Sequence, residues 1–314
     1  MQAASNILRL PFGRERVLDI RGSICALVTP FGADGSLDLA AFGRLLDYQL
    51  AGGTQAVVVA GSTGEAHMLE HDEFDRLLAF AVERVAGRVP VIAGTGEAGT
   101  ARTLAQTRRA ASLGADAALV VAPYYVRPTQ EGLRRHFLEV AEHGGLPVLL
   151  YNVPTRTACD LLPETVARLR DHPAILGIKE AVASEERIHA LAELARADFV
   201  YLSGDDGTAG KAMLAGAAGT VSVAVNLVPQ AFRTLCDAAT AGDREAAGRA
   251  HDRLDPLVQA LNCAPNPIAV KAMLPALGLG SARPRLPLVE LADGPDRKRL
   301  HEALAALASL VADA

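Results

Sequence analysis

The chain has 314 residues, half of them apolar, with 31 basic and 36 acidic side chains and a formal charge of −5. This length makes one large α/β domain or two small ones, with a sizeable core. So small a charge argues against nucleic acid or an anionic membrane surface as the main partner.

Residues 1–21 read as a short N-terminal extension. Ile7, Leu8 and Leu10 are interrupted by Arg9, so no secretory apolar core forms. No stretch approaches the roughly 20 apolar residues of a membrane helix. The four cysteines, Cys25, Cys159, Cys236 and Cys263, form no C-x-x-C pair. They read as reduced cytosolic thiols, and a cytoplasmic location is expected.

From residue 22, short apolar runs rich in β-branched residues alternate with segments of helical periodicity. The runs lie at 24–28, 56–60, 90–93, 117–122, 147–152, 175–179, 199–203 and 220–225. Leu39, Phe42, Leu45, Leu46 and Leu50 mark one helical face; Phe74, Leu77, Leu78, Ala81 and Val85 mark another. The runs are continuously apolar, as expected of parallel strands covered on both faces. Eight such units over 22–242 predict a (β/α)8 TIM barrel. A doubly wound open sheet is the alternative. After residue 242 only helical patterns remain, punctuated by Pro265, Pro267, Pro284 and Pro287. Residues 243–314 therefore read as a C-terminal helical appendage.

Barrel enzymes carry their chemistry where strands end and βα loops begin, and the unusual residues of this chain gather there. The second run leads into Gly61-Ser62-Thr63-Gly64-Glu65 and the third into Gly94-Thr95-Gly96. The fourth reaches Pro123-Tyr124-Tyr125, and the fifth Tyr151-Asn152 followed by Pro154, Arg156 and Thr157. The sixth ends in Lys179-Glu180, and the seventh leads into Gly204-Asp205-Asp206. Lys179 is the sharpest signal. A lysine that closes a core strand is partly desolvated, and desolvation favours the neutral amine that condenses with a carbonyl. Tyr151 is one βα unit earlier, on a strand expected about 4.8 Å away, where a phenol can relay protons. The bland alternatives are an ion-paired strand-end lysine and a packed core tyrosine.

The 61–65 loop offers two hydroxyls and backbone N–H groups suited to a carboxylate. A phosphate is disfavoured by Asp205 and Asp206 at the place where barrels usually hold one. Arg156 can grip a carboxylate with two parallel hydrogen bonds, or serve as a surface salt bridge.

Two motifs point elsewhere. Gly94-Thr95-Gly96-Glu97-Ala98-Gly99 matches G-x-G-x-x-G, the signature of a nicotinamide-dependent oxidoreductase. The acidic residue that should end the next strand is missing, since Asp116 precedes that strand. His67-Met68-Leu69-Glu70-His71 matches H-x-x-E-H, which binds metal only if both histidines share one helix face. Here the helix is expected to start near Glu70, so no metal site is expected.

The Gly61-Ser62-Thr63-Gly64-Glu65 loop, the Tyr151-Asn152-Val153-Pro154 segment and Ile178-Lys179-Glu180 occur in one order and spacing. In these the chain resembles the dihydrodipicolinate synthase / N-acetylneuraminate lyase family of pyruvate-dependent barrel enzymes, from about Gly22 to the C-terminal helices. Arg156 within 151–157, Leu161-Leu162-Pro163-Glu164-Thr165, Ser203-Gly204-Asp205-Asp206 and Asn266-Pro267-Ile268 resemble the synthase branch. The resemblance implies that Lys179 forms a Schiff base with pyruvate. It implies that Ser62 and Thr63 hold the pyruvate carboxylate, helped by backbone near Gly204 and Val221. Thr63, Tyr151 and Tyr125 would form a proton relay, with Tyr125 supplied by a neighbouring subunit of a homotetramer. Arg156 would receive L-aspartate 4-semialdehyde, and the product would be 4-hydroxy-tetrahydrodipicolinate, on the route to diaminopimelate and lysine. No metal or organic cofactor is implied. An N-acetylneuraminate lyase-like or other pyruvate aldolase is the alternative, and Ser62, where synthases usually carry Thr, leans slightly that way.

Feedback inhibition is expected to be weak. Where lysine-inhibited synthases carry Asn, Glu and a second His, this chain reads Ala98, Arg102 and Phe74, while His71 and Tyr124 remain. A guanidinium in place of a carboxylate repels the ammonium groups of lysine.

Overall fold

The computed structural model describes residues 7–9 and 15–312, with side chains from 18 to 307. Residues 1–6 and 10–14 of the N-terminal extension lie outside the described residues. Within it, β1 (Ile7–Arg9) and β2 (Glu15–Val17) pair as an antiparallel hairpin.

Eight parallel strands then close into a barrel. They are β3 (Gly22–Ala26), β4 (Ala56–Val59), β5 (Val91–Gly94), β6 (Ala117–Val121), β7 (Val148–Asn152), β8 (Ile175–Glu180), β9 (Val200–Ser203) and β10 (Gly219–Ser222). Pairing of β10 with both β9 and β3 completes the ring and excludes the open doubly wound sheet. Each apolar run holds one strand. The eighth run extends too far, because Val223 and Val225 belong to the turn around 224–226 that leaves the barrel. Apolarity there marks the packing of a buried Val225 and a partly buried Val223, not backbone shape.

Side chains alternate between two cores. Ile24, Val58, Ile92, Leu119, Leu149 and Leu202 fill the lumen. Cys25, Val57, Val59, Val120, Leu150 and Ile178 face outward. The outward layer meets α1 (Leu39–Ala51), α2 (His71–Val85), α3 (Thr100–Ser112) and α4 (Gln130–His143). Both faces of every strand are thus buried, which explains the unbroken apolar runs.

Shorter helices follow β7 to β9: α5 (Pro154–Thr157), α6 (Pro163–Ala167), α7 (Glu185–Ala192) and α8 (Ala209–Ala215). The last barrel helix is α9 (Pro229–Thr240). Beyond it α10 (Arg244–Leu261) packs on the barrel helices, and α12 (Pro295–Ala312) packs on α10 and α11 (Ile268–Met273). Residues 258–270 bring part of this region over the C-terminal mouth of the strands. Among the described residues, no helix is long and apolar enough to cross a membrane.

Candidate active site

Strand register decides which side chains meet. In the β7–β8 ladder, Tyr151 is the partner of Lys179, and Asn152 the partner of Glu180. Alternation sends the first pair into the lumen and the second outward. Lys179 Nζ lies 4.2 Å from the centroid of the Tyr151 ring. Both residues are nearly buried, at 6% and 7% exposure.

The outward pair holds this register. Asn152 donates to both Glu180 carboxylate oxygens, at 3.1 and 3.0 Å, and to Asp160 at 2.7 Å. Arg187 bridges Glu180 at 2.9 Å and Asp160 at 2.6 Å. Burial pushes the Glu180 carboxyl above its usual value, and these donors oppose that push.

Above Lys179 a cavity of about 780 Å³ opens at the C-terminal mouth. Lys179, Tyr151, Thr63, Arg156, Gly204 and Asn266 line it. Ser62 lines a second, much smaller cavity of about 20 Å³, shared with Tyr151 and His67. The Thr63 hydroxyl accepts a hydrogen bond from Asn266 Nδ2 at 2.9 Å. Arg156, on α5 and exposed, donates to the carbonyl of the same Asn266 at 3.1 Å. Asn266 thus links Thr63 to Arg156, and its Oδ1 is buried without a partner among the described residues. From sequence it stood out only as part of a branch-specific segment. A lone asparagine between prolines carries no signal of which hydroxyl it will meet 203 positions away.

Gly204 has a steric part to play. A Cβ there would lie 2.9 Å from Lys179 Cε, so only glycine leaves the lysine stem its path. Its N–H is already given to the Glu180 carbonyl at 2.7 Å. Val221 packs in the lumen on β10, and Val223, two residues on, lines the cavity instead. Tyr125 stands apart from its own cavity. It is 90% exposed, with φ of 71°. Asp205 caps the next turn, accepting from the N–H and hydroxyl of Thr208 at 2.9 and 2.7 Å. Asp206 accepts the Ala224 N–H at 2.9 Å, and burial raises its carboxyl while Lys179 pulls the other way.

The two misleading motifs have structural explanations. A Cβ on Gly94 would sit 2.1 Å from the Ala60 carbonyl oxygen, and one on Gly96 2.5 Å from the Val121 nitrogen. These glycines serve close approach of neighbouring chain segments. His67 lies in a 3-10 turn over 66–68, whereas His71 opens α2 after a capping box formed by Glu70 and Glu73. The two rings therefore do not share a helix face. Among the described residues no three His, Cys, Asp or Glu side chains converge as metal ligands.

The arrangement can form and protonate an imine: an amine, an adjacent phenol, the Thr63 hydroxyl and a guanidinium line one cavity. Residues 19–307 match the model of the dihydrodipicolinate synthetase family. The chain is 60% identical over 274 residues to the 4-hydroxy-tetrahydrodipicolinate synthase of Xanthomonas axonopodis pv. citri, covering 87% of this chain and 90% of that one. It is similar in structure to the chloride-inhibited dihydrodipicolinate synthase from Acinetobacter baumannii complexed with pyruvate. That match has a TM-score of 0.90 and 40% identity, covering 92% of this chain and 99% of the other. A monomeric dihydrodipicolinate synthase variant matches with a TM-score of 0.89 and 39% identity, covering 92% and 97%. The chain belongs to the dihydrodipicolinate synthetase family.

Proposed function

We propose that this chain condenses pyruvate with L-aspartate 4-semialdehyde to give 4-hydroxy-tetrahydrodipicolinate. The observation that carries the reading is the buried Lys179–Tyr151 pair on the floor of a cavity whose rim carries Arg156. Lys179 attacks the keto carbon of pyruvate, and water leaves as the iminium forms. Loss of a methyl proton gives the enamine, whose carbon attacks the aldehyde of the second substrate. The amine of the adduct then attacks the imine carbon, displaces Lys179 and closes the ring.

Tyr151 passes the protons, with Thr63 as its hydroxyl partner and Ser62 as a second hydroxyl beside it. Ser62 and Thr63 receive the pyruvate carboxylate, with backbone near Gly204 and Val221. Arg156 grips the carboxylate of the semialdehyde. Tyr125 serves a neighbouring subunit of a homotetramer; its near-complete exposure and distance from its own cavity support that role. The enzyme works in the cytoplasm without a metal or organic cofactor.

Pyruvate consumption is measured in two parallel reactions, one with L-aspartate 4-semialdehyde and one with N-acetylmannosamine. Turnover is expected only with the semialdehyde. Turnover only with the sugar would leave Lys179 its place and strip Arg156 of its role.

A further inference from the structure

The chemistry above leaves unused a pair of opposite charges sealed between the barrel mouth and the C-terminal helices. Lys271 lies on α11, and Glu65 ends the loop that carries Ser62 and Thr63. Their side chains are fully buried, with Lys271 Nζ 2.5 Å from Glu65 Oε1. Lys271 also donates to the Thr29 carbonyl at 2.9 Å and lies 4.3 Å from the centroid of the Phe31 ring. The second Glu65 oxygen accepts the Arg285 N–H at 2.8 Å.

A buried ion pair is a weak source of stability, because desolvation offsets the attraction; apolar replacements are often neutral or better. Its position gives a better account of it. Glu65 sits at φ 55°, in the left-handed region that residues bearing a Cβ adopt uncommonly. The carbonyl of Gly64 is fixed by the Thr29 hydroxyl at 2.7 Å. Lys271 therefore ties Glu65 and Thr29 together from the α11 side. The segment that leads into Lys271 also carries Asn266, whose amide reaches Thr63. The middle of the loop at Thr63 and its end at Glu65 are both held from the α11 side.

We propose that Lys271 and Glu65 are positioning residues: their buried pair locks α11 against the loop after β4 and so shapes Ser62 and Thr63 to receive the pyruvate carboxylate. This rests on the reading of the site given under Proposed function. The lock acts on the grip of the carboxylate, whereas bond making takes place at Lys179 on the far strand β8. Thr63 also serves the relay, so loss of the lock raises the KM for pyruvate by the larger factor and lowers turnover by a smaller one.

Glu65→Gln keeps the shape and an acceptor but removes the charge. It is expected to raise the KM for pyruvate about tenfold and to lower kcat at saturating pyruvate by the smaller factor of about threefold. Lys271→Met is expected to shift the same constant, and the double variant no further than the worse single, since the pair acts as one device. Lys271→Arg keeps the charge and recovers KM to within about threefold of wild type. A pair that serves stability alone would lower the melting temperature and leave KM unchanged; that result in Glu65→Gln overturns the proposal, as does loss of folded protein in every variant. Should only Lys271→Met fail to fold, Glu65→Gln decides. Borohydride trapping of pyruvate on the wild-type protein separates the two readings. No trapping overturns the reading of the site; trapping with an unchanged Glu65→Gln KM overturns only the lock.

Discussion

Lys179 is legible in the sequence because it breaks a rule: a charged residue closes an unbroken apolar strand. Tyr151 is legible because strand spacing puts it on the neighbouring strand, and the register makes it the direct partner. Asn266 and Lys271 are not legible, since their partners Thr63 and Glu65 lie more than 200 positions away. No local pattern encodes such a meeting. The phenol carries a testable load. Tyr151→Phe preserves the ring beside Lys179 and removes only the hydroxyl. General acid–base catalysis is worth about 10²- to 10⁴-fold, so kcat is expected to fall by about 10²-fold or more. Steady-state assay of the purified variant checks this; a loss under threefold would remove Tyr151 from the relay.

At the scale of elements, the alternation of apolar runs and helical faces locates every barrel strand, and the misjudged boundaries have local causes. Residues 27–28 and 224–225 are buried beyond strand ends, and burial alone looks like strand. Helix α4 supplies a pH-dependent contribution that the pattern hides. His136 is 4% exposed, contacts Thr100 Oγ1 through Nδ1 at 3.0 Å, and leaves Nε2 without a partner among the described residues. Burial pushes its pKa down to about 4 from the ordinary 6.5. Below pH 6.5 the unfolded chain takes up this proton, while the folded protein resists until about pH 4. The contribution is therefore complete above pH 6.5 and is lost as pH falls through that window, by up to about 3 kcal/mol. Urea denaturation at pH 7 and pH 4.5 should show His136→Leu losing about 2 kcal/mol less than wild type between the two. Identical losses would contradict the assignment.

At the scale of the whole molecule, the closed barrel gathers one end of each strand at a single mouth, and α10 and α11 supply part of the cavity wall. The barrel is legible from repetition. The closure by later helices is not, because their apolar faces do not say where they dock. Regulation is also a property of this scale. Tyr124 donates its hydroxyl to Glu97 at 2.8 Å, and burial with that carboxylate pushes it up to about 12. Arg102 stands nearby, where its charge opposes a cationic effector. Lysine at millimolar concentration is expected to leave activity nearly unchanged in a titration of the purified enzyme. Strong inhibition below one millimolar would show that the guanidinium does not exclude it.

The central claim is a covalent one and can be read by mass. The protein is incubated with pyruvate, reduced with borohydride, digested and sequenced by tandem mass spectrometry. The account predicts one reduced pyruvate adduct per chain, on Lys179, and none in Lys179→Ala. An adduct on another lysine, or none at all in the wild-type protein, would contradict it.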